Sequence, residues 1–186
     1  MAIKDALRET EEKMQKTLAA VKREFSEIRT GRASPSLVEG ILVDYYGSKT
    51  PIKQLATISV PEPRLLVIHP WDPSVINEVD RAILQSNLGL TPNNDGKLIR
   101  IGIPHLTDER RQELDKIIKR IAEAGRVSLR TARRDANETL KQLEKNKDIS
   151  EDERFKSQDE VQKLTDKYIN QLDQSLEAKE KEIQEG

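Results

Sequence analysis

Three long stretches whose apolar residues recur every three, four or seven positions constrain this 186-residue chain most, because each stripe must be buried against another surface. The first spans 3–29 through Leu7, Met14, Leu18, Val21, Phe25 and Ile28. The second opens at Thr107, a suitable N-cap followed by Asp108 and Glu109 at the positive end of the helix dipole. Its stripe includes Leu114, Ile117, Ile118, Ile121, Val127, Ala132, Ala136, Leu140 and Leu143 and predicts a helix to about 147. Gly125 interrupts it, which suits either a bend or a close helix contact. The third begins at a capping box formed by Ser150 and Glu153 and follows Phe155, Val161, Leu164, Tyr168, Leu172, Leu176 and Ile183. Only 146–149 separate the second and third helices, so they must fold back antiparallel.

The middle of the chain is different material. From Arg32 to Pro104 there are 7 basic and 7 acidic residues in 73, against 25 and 26 in the remaining 113. A net charge of -1 therefore conceals a charged helical part and a sparsely charged segment. Strand signals fall at 37–46, ending at Gly47-Ser48, and at 57–60, 65–69 and 98–103. Asp72-Pro73 supplies a cap and a first-turn Pro for a helix over 74–86, with Gly89 beyond it. Asn93-Asn94-Asp95-Gly96 reads as a turn between strands. The expected fold is α+β: a discontinuous, long antiparallel three-helix bundle (1–30 and 106–186) with an inserted small β/α/β domain (31–105). Two crossing segments, containing Thr30, Gly31 and Pro35 and Ile103, Pro104, His105 and Leu106, suggest a hinge.

Several function classes lack their material. With no Cys, thiolate metal sites and cysteine nucleophiles are excluded. His69 and His105 are the only histidines, too few for most zinc or triad chemistry, and both lie in turn-like contexts beside Pro. No P-loop, dinucleotide fingerprint or metalloprotease motif occurs, so no cofactor is expected. No stretch approaches the roughly 18 apolar residues of a membrane span. The expectation is a soluble, cytoplasmic protein that is not an enzyme.

The clearest electrostatic signal lies on the second long helix. Lys119, Arg126, Arg130, Arg133 and Asn137 share one face, with Arg134 beside them, and 117–134 holds six bases against Glu123 alone. Arginine forks suit phosphate oxygens, and no aromatic side chain interleaves them, which favours recognition of RNA shape and backbone over sequence. The competing explanation is internal neutralisation, because 148–186 carries 12 acids against 6 bases. Tyr45, Tyr46 and Trp71 read mainly as core of the small domain, with Trp71 the best candidate among them for a partner contact.

The segments I-R-T-G-R-A-S-P (28–35), D-Y-Y-G (44–47), Q-L-A (54–56) and N-L-G-L-T-P-N-N-D-G (87–96) together resemble the ribosome recycling factor family. So do L-T-D-E-R-R (106–111), R-T-A-R-R-D-A-N (130–137), I-S-E-D-E (149–153) and V-Q-K-L-T-D (161–166), in the same order over nearly the whole chain. The resemblance implies an L-shaped protein outlined like a transfer RNA. It also implies a monomer that binds the 23S ribosomal RNA of the large ribosomal subunit. With elongation factor G and that factor's GTP hydrolysis, such a protein splits the post-termination ribosome and releases mRNA and tRNA. Carried onto this chain, the ribosomal RNA contacts fall on Arg29, Gly31, Arg32, Arg130, Arg133 and Asn137; the basic stripe adds Arg126. A coiled-coil adaptor without an RNA partner, an RNA-binding chaperone independent of elongation factor G, and a hydrolase built on surface carboxylates are the competing readings.

Overall fold

The computed structural model describes residues 2–186 and divides into two compact units, 2–29 with 108–185 and 30–107 with Gly186. In the first unit three helices form a bundle: α1 (Ala2–Glu27), α3 (Asp108–Lys145) and α4 (Glu151–Glu185). At 38 residues α3 is a rod of about 57 Å. The capping box is formed: Ser150 N–H donates to Glu153 at 2.9 Å, and Glu153 N–H donates to Ser150 Oγ at 3.1 Å. Lys147 turns the chain with a positive φ of 60°. The tight link makes α3 and α4 antiparallel, with Glu144 paired to Arg154 near the turn and Arg126 paired to Asp173 farther along.

Helix α1 lies parallel to α4: Glu11 accepts from the Tyr168 hydroxyl at 2.9 Å, while Lys179 donates to the Ile28 carbonyl at 3.1 Å. The apolar stripes meet as the periodicity requires, burying Met14, Leu18, Val21 and Phe25 with Leu114, Ile118, Leu129, Leu140, Val161 and Leu172. Gly125 marks a close approach. A Cβ there would lie 2.7 Å from both Val21 Cγ2 and Leu172 Cδ1, closer than side-chain packing tolerates, and α3 runs through this position without interruption.

The second unit contains β1 (Leu42–Tyr45), β2 (Ser48–Pro51), β3 (Ala56–Glu62), β4 (Leu65–Pro70), α2 (Ile76–Gln85), β5 (Pro92–Asn94) and β6 (Ile99–Gly102). The first two strands form a hairpin, and the others form an antiparallel sheet in the order β3-β4-β6-β5. Its register sets Leu66 opposite Ile101 and Ile68 opposite Ile99, so alternating inward residues coincide across strands. They share a core with Val43, Val79 and Ile83.

Local boundaries correct several sequence expectations. Residues 37–46 are not one strand: Ser34 caps a 3-10 turn over Pro35–Leu37, which drives Val38 into the core before β1 begins. The β1–β2 turn is Tyr46-Gly47, with φ values of 49° and 81°, one residue earlier than expected. Beneath the Asp72 cap, Pro73–Val75 is likewise a 3-10 turn, and α2 starts only at Ile76. Asn93 and Asn94 belong to edge strand β5; the turn falls on Asp95, whose carboxylate accepts from Lys97 and Leu98 N–H at 2.9 and 2.7 Å. Tyr45 packs on the core, but Tyr46 and Trp71 are 78% and 63% exposed, against the core reading for both.

Because Gly125 has no room for a side chain, Gly125→Val should overpack the bundle and cost about 2 kcal/mol or more, beyond any gain in helix propensity. Thermal unfolding checks this, with Gly40→Val, where nothing lies within 4 Å of an added Cβ, as the control.

Candidate RNA-binding face

The basic stripe of α3 runs along its seam with α4, and the seam treats each cation differently. Lys119 pairs with Asp115 one turn back at 2.8 Å, which raises its pKa. Arg126 is held most firmly: Nε and Nη2 donate to the same oxygen of Asp173 at 2.9 and 2.6 Å, and Nη1 donates to Glu123 at 3.2 Å. Its side chain is only 22% exposed, and the bond to Asp173 is the main reason its pKa is raised. The expected internal neutralisation is thus realised at this residue.

Arg130 is half-exposed and meets only the other oxygen of Glu123, at 3.5 Å. Arg133, one turn farther, donates to the side-chain oxygen of Gln162 on α4 at 3.4 Å, a neutral acceptor that leaves its charge intact. Asn137 follows one turn on; its Oδ1 is shielded from solvent without a hydrogen-bond partner. Arg130, Arg133 and Asn137 therefore occupy one continuous face, as their spacing predicts. Arg134 and Arg120 are exposed beside it, with no hydrogen-bond or ion-pair partner among the described residues. Sequence reasoning counted Arg120 among the six bases of 117–134 but gave it no role of its own.

Arg29 lies just beyond α1 and is exposed, again without a partner among the described residues. Thr30, Gly31 and Arg32 follow it in the second unit. Gly31 adopts a φ of +78°, which suits Gly, and an added Cβ would approach Leu106 Cγ to 3.1 Å. Ala33 N–H donates to Pro63 O at 2.7 Å, and Ile103 N–H donates to Arg64 O at 2.8 Å. These bonds build Pro35 and Ile103 into the small unit, while Thr30, Gly31, Pro104, His105 and Leu106 lie outside them.

A long bundle that presents Arg130, Arg133 and Arg134 along a rigid helix has the charge and geometry to meet a polyanionic surface. Comparison with known proteins makes this specific. The family model for ribosome recycling factor matches residues 21–183. Ribosome-recycling factor of Alkaliphilus metalliredigens is 58% identical over 94% of this chain and 95% of its own length; that of Bacillus subtilis is 53% identical over 98% of each. Among solved structures, a solution structure of the ribosome recycling factor is 45% identical and covers 100% of this chain and 99% of its own, with a TM-score of 0.71. A second, 43% identical with a TM-score of 0.63, covers 98% of this chain and 99% of its own. It is described as Thermus thermophilus ribosome recycling factor and Escherichia coli elongation factor G bound to the Escherichia coli post-termination complex. The chain belongs to the ribosome recycling factor family.

The two-pronged hold on Arg126 yields a test. Arg126→Ala should destabilise the protein by about 1 kcal/mol in denaturant unfolding, and much less in an Asp173→Ala background, because the pair acts as a unit.

Proposed function

We propose that this chain is a non-enzymatic translation factor that, with elongation factor G and GTP, splits the post-termination ribosome into subunits and frees mRNA and tRNA. The observation that carries this reading is the match to ribosome recycling factors over nearly its whole length, including both units. The chemistry of α3 supports it. Arg130, Arg133 and Asn137, with Arg29, Gly31 and Arg32, contact 23S ribosomal RNA of the large subunit. Arg126, whose guanidinium is already engaged, holds the helix seam instead. A rigid helix can follow a phosphate ridge without ordering on binding, which favours backbone recognition.

In this mechanism the bundle is the anchor and the small domain is the moving part. Thr30, Gly31, Pro104, His105 and Leu106 form the hinge, through which elongation factor G pushes the small domain while α3 stays on RNA. Pro35 and Ile103 move with that domain, because the Ala33 and Ile103 hydrogen bonds tie their segments to its β3–β4 turn. The motor's GTP supplies the energy. The factor acts as a cytoplasmic monomer. No helix among the described residues is long and apolar enough to cross a membrane.

Light scattering of post-termination ribosomes with elongation factor G and GTP tests the role. The native chain should split them, whereas Arg133→Ala should bind large subunits about ten-fold more weakly, the scale of one charge-assisted contact. Its binding should also fall less steeply with salt, by a slope of about one. Binding without splitting by the native chain would leave only an RNA-binding or adaptor role.

A further inference from the structure

The segment V-Q-K-L-T-D (161–166) lies on α4 and carries no cation assigned to RNA contact, and the fold separates its residues. Val161 and Thr165 are fully buried and Leu164 is partly so, while Gln162 and Asp166 lie one turn apart on the exposed flank. The Gln162 amide nitrogen donates to Asp166 Oδ1 at 2.9 Å, and its oxygen accepts from Arg133 Nη1 at 3.4 Å. We infer that Gln162, with its amide oriented by Asp166, is a positioning residue that aims the Arg133 guanidinium at RNA; this rests on the proposed contact of Arg133 with RNA.

The contrast along one seam carries the argument. At Arg126, α4 supplies the carboxylate of Asp173, which restrains the arginine and also neutralises it. At Arg133, α4 supplies a neutral amide oxygen, which restrains one terminal nitrogen and leaves the charge and the remaining N–H groups available. An amide has two faces, and its NH₂ group would repel the guanidinium. Asp166 accepts from that NH₂ group and so turns the oxygen toward Arg133. The Asp166 carboxylate thus bonds to the Gln162 amide nitrogen, and Arg133 meets the neutral amide oxygen. An arginine already held at one terminal nitrogen loses less freedom when a phosphate arrives, which favours binding without adding a contact.

Two readouts separate this role from a merely structural one. Gln162→Ala should weaken binding to isolated bacterial large ribosomal subunits about five-fold, the scale of immobilising one rotamer-rich side chain. In an Arg133→Ala background it should change binding by less than about 1.5-fold, since the two act as a unit. Gln162→Glu should restrain Arg133 but place a charge against it, weakening binding and flattening its salt dependence. Independently of the ribosome, the NMR order parameter of Arg133 Nε–Hε should fall in Gln162→Ala and in Asp166→Ala. An unchanged order parameter, or additive losses in the double variant, overturns the positioning role. If Arg133→Ala binds subunits as well as the native chain, the RNA contact fails. The order parameter then decides positioning alone: a fall supports it and no change overturns it.

Discussion

The closeness of the three helices at Gly125 sets the geometry on which the charged face depends. Val21 and Leu172 both occupy the space a side chain would take there, so α1 and α4 approach the backbone of α3 directly. Arg126 follows in sequence, and the same proximity lets its guanidinium span the seam to Asp173. Two turns on, α4 is still within reach of Arg133 through Gln162. A wider bundle would leave both arginines as solvated cations; the apolar contact at one glycine thus determines which charges the surface displays.

Much of this architecture was legible in the sequence because it follows from periodicity. The three stripes predict three helices, the short link forces two of them antiparallel, and Ser150 with Glu153 marks the start of the third. Inside the small unit, the runs at 57–60, 65–69 and 98–103 reveal edge strand β3 and the central strands β4 and β6. What escaped was short or positioned by distant contacts. Ser48–Pro51 and Pro92–Asn94 are edge strands with little apolar alternation to announce them. Ser34 and Pro35 override the strand preference of the residues that follow by forming a local turn.

The charged face shows a different limit. Its residue spacing placed Arg130, Arg133 and Asn137 together, yet it also placed Arg126 among them without showing that Asp173, 47 positions away, would claim it. Composition gives the number of acids in the last helix but not their register against α3. That register decides whether an arginine meets a carboxylate or an amide. The meaning of V-Q-K-L-T-D is likewise invisible in one dimension, since Val161, Leu164 and Thr165 serve the core while Gln162 meets another helix.

The interruption of the bundle by a separate unit has a consequence for synthesis. Helices α3 and α4 are neighbours in the chain and can pair as a local hairpin soon after both are made. Helix α1 is made first, but its partners follow only after residues 30–107 have been translated. At roughly 5 to 20 residues per second, its apolar stripe stays unpartnered for several seconds or more. Its dense charges, with Arg8 flanked by Asp5 and Glu12, keep that waiting helix hydrated on its outer side. The intervening unit has its own core and can fold during the delay, so the chain completes its middle before it closes its ends.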